Sequence, residues 1–147
     1  MVNLFLLLAI AASAENWPQW RGPDSAGTSS AANLPSEWSA AGNIAWKTAI
    51  PGNGHSSPLI WGDRIFLTTS IEGAPTEGAK APAHRLNGQP FVHPSSVDAE
   101  RIYALQVLAV DRRSGKILWT TTAFEGKVYD ARHKKNTYAT PTAILRA

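Results

Sequence analysis

The segment "YDARHKKNTY", residues 129–138, is the most chemically suggestive part of the chain. Tyr129, Asp130, Arg132, His133, Lys134, Asn136 and Tyr138 gather cations, an imidazole, an amide and phenols within one polar stretch. An arginine fork and a lysine charge beside neutral hydrogen-bonding groups suit an anionic or carbonyl-bearing ligand. Arg132, His133, Lys134, Asn136 and Tyr138 are therefore candidate binding residues. The plainer alternative is a solvated loop in which Lys134 and Lys135 keep the surface charged. The sequence does not place a base, a nucleophile and an orienting group together, so no catalytic residue is assigned.

His55, in "GNGHSSP", immediately precedes a strand-like run and is expected at a rim, either bonded to neighbouring structure or facing a ligand. His84 and His93 lie nine residues apart in a Gly/Pro/Ala-rich stretch, a spacing that fits neither a helical ligand pair nor alternation on a strand; they read as loop histidines. The absence of cysteine excludes a disulfide scaffold, a thiol nucleophile and a Cys-type zinc site. Asp24, Asp63, Asp98 and Asp111 lack calcium-loop spacing, and there is no phosphate-binding glycine loop, so no metal or cofactor is assigned from the residues. The charge of +3 comes from 14 basic and 11 acidic residues. Basic residues cluster only at Arg112-Arg113 and from Arg132 to Lys135, which argues against a nucleic-acid partner.

Short strands must hold such a loop. Six runs rich in Ile, Val, Thr, Phe and Trp are bounded by Gly, Pro, Asp and Asn: "NIAWKTAI" (43–50), "SPLIW" (57–61), "RIFLTTS" (64–70), "IYALQVLAVD" (102–111), "KILWTTTAF" (116–124) and "TPTAIL" (140–145). No stretch carries helical amphipathicity, so the chain is expected to be all-β. Gly62-Asp63 closes one hairpin. In "AVDRRSGKILW", Asp111 caps the turn and Gly115 supplies its left-handed position, closing another.

Residues 1–14, with an apolar run from Leu4 to Ala12 and then Ala12-Ser13-Ala14, read as a signal peptide cleaved before Glu15. The run falls short of the roughly 20 apolar residues that span a bilayer, so no stable membrane span is expected after cleavage. Residues 15–42 form an extended Trp/Pro/Gly-rich lead-in, with Trp17, Trp20 and Trp38 expected to anchor it on the body.

The strands repeat. "NIAWKTAI" around Trp46 parallels "KILWTTTA" around Trp119, and each is followed by a Ser/Thr-Pro pair, Ser57-Pro58 and Thr140-Pro141, that opens a strand. The two tryptophans stand 73 residues apart, and residues 71–100, a stretch without strand periodicity, read as an insertion. Without it the unit has the roughly 40–50 residues of a four-stranded blade.

The pattern Ala109-Val110-Asp111-x-x-Ser114-Gly115-Lys116-x-Leu118-Trp119 resembles the tryptophan-docking repeat of the pyrroloquinoline-quinone-like (PQQ-like) β-propellers. The lead-in "WPQWRGPDSAG", the hairpin "GHSSPLIWGDRIFLTT" and "EGKVYDARHKKNTYATPT" are similar to an exported bacterial branch of that superfamily. The resemblance implies a propeller of four-stranded antiparallel blades over residues 43–147, with Trp46, Trp119, Asp111 and Gly115 as docking residues. A ring needs about four to eight blades, so the sequence is expected to be the N-terminal part of a longer protein, with 43–50 completing a blade begun elsewhere.

On this resemblance the protein is expected to be a periplasmic or secreted binding or scaffold module. Its partner would be a protein, a small molecule or a carbohydrate bound through the Trp-rich lead-in. It lacks the lipid-attachment cysteine of the propeller lipoprotein that assists outer-membrane assembly. The competing expectation is a quinone-dependent alcohol or sugar dehydrogenase, with PQQ and calcium in the channel. Trp46, Trp61 and Trp119 would then be stacking candidates by analogy. The missing cysteine pair and calcium set count against that alternative.

Overall fold

The computed structural model describes residues 15–32, 34–77 and 83–146. The signal peptide expected at 1–14 lies outside them. Strand β1 (Leu59–Trp61) turns back into β2 (Arg64–Pro75) at Gly62-Asp63, where Gly62 takes a φ of 58° that a side chain would resist. A small hairpin follows, β3 (His84–Leu86) and β4 (Gln89–Phe91), and then a two-residue strand β5 (Ser96–Val97). Two long strands come next, β6 (Arg101–Asp111) and β7 (Ile117–Lys127), and the last strand is β8 (Arg132–His133). The main sheet is four-stranded and antiparallel in the order β1-β2-β6-β7. No helix occurs among the described residues, as expected of an all-β chain.

The hairpin between β6 and β7 follows from its residues. Asp111 Oδ1 accepts from Ser114 N at 2.7 Å and from Ser114 Oγ at 2.6 Å, while Gly115 takes a φ of 72°. The Ser114 hydroxyl holds the Asp111 carboxyl below its ordinary range. Leu108, Ala109 and Val110 are all buried; because successive strand residues point to opposite faces, the centre of β6 is covered on both sides. By contrast β7 is exposed along nearly its whole length. Ala123 and Leu118 fall between paired neighbours, so two bulges bend this edge strand.

The structure adds detail to several expectations. Residues 43–50, expected to complete a blade begun elsewhere, form no ladder among the described residues and dock through side chains on the β6–β7 turn. Trp46 Nε1 donates to Arg112 O at 3.0 Å, and Thr48 Oγ1 donates to Gly115 O at 2.5 Å. Residues 140–145 are likewise unladdered, held by bonds such as that from Leu145 N to Pro18 O at 2.8 Å. The 71–100 segment, read as an insertion without strand periodicity, receives the end of β2 as far as Pro75 and contains β3, β4 and β5. The lead-in reaches the sheet at Trp17, which exchanges backbone bonds with Ile60 at 2.8 and 2.9 Å, and at Asn16, whose Oδ1 accepts from Gly62 N at 2.7 Å. Trp20 and Trp38 are 58% and 63% exposed. Trp119 lies 40% exposed, 6.1 Å from the Phe66 ring.

Candidate functional site

The polar loop at 129–138 is held by the segment read as an insertion. In the β5–β8 pair Ser96 faces His133 and Val97 faces Arg132, and Lys134 N donates to Ser95 O at 2.8 Å. One residue beyond β5, Asp98 sits at a φ of 68°, in the left-handed region, and its carboxylate takes an ion pair from Arg132 Nη2. Both side chains are 22% exposed. Arg132 Nη1 also donates to Asn136 O at 2.6 Å, so one guanidinium fixes both ends of the short turn carrying Lys134 and Lys135.

The surrounding aromatic and imidazole groups serve the same end. The Tyr138 hydroxyl donates to Asp130 O at 2.8 Å, and its ring lies 4.6 Å from that of Tyr103. Burial, with Tyr103 and Asp98 adding to it, pushes the Tyr138 hydroxyl up to about 12. Tyr103 is also raised by burial, against the opposing influence of Arg132. Nδ1 of His133 accepts from Lys135 N, and Nδ1 of His93 from Ser95 N, each at 3.1 Å, which leaves the ring protons on Nε2. His84 Nε2 lies 2.9 Å from Asp130 Oδ2, and that contact holds the Asp130 carboxyl below its usual range.

Beside this loop opens a cleft of about 280 Å³. One wall is the 132–137 segment; the other is built from Asn53, His55, Ser70 and Glu72, with Tyr103 also lining the space. His55 N and Ser56 N both donate to Ala139 O, at 3.2 and 3.1 Å, which stitches the two walls together. The second wall is itself braced, since Asn53 and Ser70 exchange backbone bonds at 3.0 and 2.9 Å. Ser70 and Glu72 stand two apart on β2, and Tyr103 pairs directly with Glu72, so these side chains share one face of the sheet.

The groups around the cleft divide by whether they are already spent. Arg132, Ser70 and Thr137 bond to other parts of the fold. Among the described residues no hydrogen bond or ion pair holds the side chains of Asn53, His55, Lys134, Lys135 or Asn136. Glu72 gives Oε1 to Arg101 at 3.1 Å, which balances its charge and leaves Oε2 open. The uncompensated charge of the cleft is therefore that of Lys134 and Lys135.

No family model, curated protein or solved structure matches this chain.

Of the six candidate binding residues, His55, Arg132, Lys134 and Asn136 meet at the cleft. Arg132 is a brace there, while the other three present unspent groups. His133 and Tyr138 instead line a shallower, more apolar groove of about 600 Å³ on the other side of the loop, beside Phe124 and Leu105. Asn53, Ser70, Glu72 and Tyr103 were not singled out from sequence. Asn53 had a signal, its place two residues before His55 in "GNGH"; Glu72 lay in the supposed insertion and had none.

The calcium implied under the dehydrogenase alternative finds no ready ligand set at this cleft. Its nearest carboxylates, Glu72 and Asp98, are each paired with an arginine, and no group of three or more His, Asp or Glu converges among the described residues. Trp46 is committed to the 111–115 turn, away from the cleft.

Proposed function

We propose that this chain is an exported module of the PQQ-like β-propeller repeat type whose polar cleft binds a small anionic ligand. The observation that carries the binding reading is the meeting of His55 with Lys134 and Asn136, far apart in sequence, on one cleft where none of their side-chain groups is already bonded. The backbone of the cleft is braced in advance, so the ordering left for a ligand to impose falls on the side chains, those of the lysines above all. Support for the propeller repeat comes from the four-stranded antiparallel sheet and from Trp46 seated on the Asp111–Gly115 turn, with Trp119 in the equivalent position one repeat later.

Calorimetric titration with acetate and inorganic phosphate at low salt tests the binding reading. Binding is expected to weaken as salt is added, because exposed ammonium groups are screened. It is expected to fall at least five-fold in the Lys134→Ala, Lys135→Ala double variant, about 1 kcal/mol. Absence of anion binding in the wild-type protein, or binding indifferent to both lysines, overturns the reading. Export is tested by the mass of the protein recovered outside the cytoplasm, expected to begin at Glu15.

A further inference from the structure

We infer that the ligand of this cleft is a sugar acid, a single carboxylate on a skeleton that bears adjacent hydroxyls. The inference rests on the anion-binding reading above and narrows it.

The two walls of the cleft ask for different chemistry. The wall formed by the loop carries Lys134 and Lys135, whose charge suits one oxyanion. The opposite wall offers the Asn53 amide, the His55 ring and the open Oε2 of Glu72. A carboxylate oxygen accepts hydrogen bonds and donates none, so the open Oε2 of Glu72 is complementary to O–H groups and has nothing to offer a second carboxylate. An amide supplies both a donor and an acceptor, the pairing that a hydroxyl can satisfy in both directions.

Simple anions and neutral sugars each satisfy half of this arrangement. Inorganic phosphate would fill the cationic wall and lacks the adjacent hydroxyls on a carbon skeleton that would reach the Asn53 amide and Glu72 Oε2. A neutral sugar would use the amide and carboxylate and leave both ammonium groups without a counter-charge. A ligand with one carboxylate and several hydroxyls uses both walls. The volume of about 280 Å³ lies just below the roughly 300–1,000 Å³ range of small-molecule pockets, which suits one ring rather than a polymer.

The test is a titration of the full chain with glucuronate and galacturonate beside glucose, acetate and inorganic phosphate. At least one uronate is expected to bind ten-fold or more tightly than glucose, acetate and phosphate. The backbone of Asn53 stays bonded to Ser70 whatever its side chain, so Asn53→Ala leaves the wall in place. It is expected to weaken uronate at least five-fold and leave acetate unchanged, with unaltered circular dichroism. Acetate or phosphate binding as tightly as both uronates would overturn the sugar-acid inference and leave the anion reading standing. Glucose binding equal to uronate, or no binding by any of the five, would overturn both. An Asn53→Ala variant that lowers acetate and uronate alike would also overturn the inference.

Discussion

The Trp46 indole lies flat against Gly115, so close that a Cβ added to that glycine would come within 2.5 Å of two ring atoms, while Trp46 Nε1 donates to Arg112 O. The glycine is therefore required twice, for its φ of 72° and for the space it leaves. Gly115→Ala is expected to cost more than the roughly 1–3 kcal/mol of a strained left-handed residue, since the overlap adds to it. A lowered melting temperature and a displaced Trp46 indole N–H resonance would show this together; an unshifted resonance would refute the contact.

Trp46 and Trp119 stand at matching places in the similar runs "NIAWKTAI" and "KILWTTTA", with different surroundings. Trp46→Ala removes a hydrogen bond and the cover of the turn, and is expected to approach the lower end of the roughly 3–5 kcal/mol of buried tryptophan truncations. Trp119 has its exposed ring against Phe66 alone among aromatic partners, and Trp119→Ala is expected to cost about half as much. Chemical denaturation of both variants checks the order. Equal losses would mean that a further turn covers Trp119 in the protein.

Arg132 acts on the cleft through the turn it braces. Arg132→Met leaves the Asp98 carboxylate mostly buried and unpaired, and with both groups about a fifth exposed the expected loss is roughly 1–3 kcal/mol, below that of a fully buried pair. Asp98→Asn should be milder, since the amide oxygen still accepts a bond. Amide exchange at Lys134 and Asn136 reports the turn directly, and is expected to rise more in Arg132→Met than in Asp98→Asn.

Alkaline pH should loosen the same loop. The Tyr138 hydroxyl is raised from 10.0 to about 12, so across that window the folded protein keeps a proton that the unfolded chain has lost. Stability contributed by Tyr138 is complete below pH 10.0 and is lost as pH climbs to about 12. Thermal unfolding against pH is expected to show a decline there that Tyr138→Phe makes shallower. A profile identical in the variant would refute the assignment.

How much of this was legible in the sequence depends on the range of the interactions. The turns at Gly62-Asp63 and Asp111–Gly115 are written in local backbone chemistry, and they form as expected. Asn87-Gly88 carries the same kind of signal. Both residues have positive φ at the β3–β4 turn, yet the Gly/Pro-rich composition around them masked a hairpin of three residues a side. The run 43–50 has strand composition, but composition reports an extended backbone and says nothing of whether a neighbouring strand or a turn receives it. The cleft drew four of its residues from positions already suspected. Glu72 and Tyr103 enter it through the register of β2 against β6, which no local pattern reveals.

The pairing of β5 with β8, locked by Asp98 on Arg132, makes the two segments one inherited unit. Lengthening either without its mate would shear the recognition surface apart. Anyone grafting this cleft onto another scaffold must carry residues 95–98 along with residues 132–139.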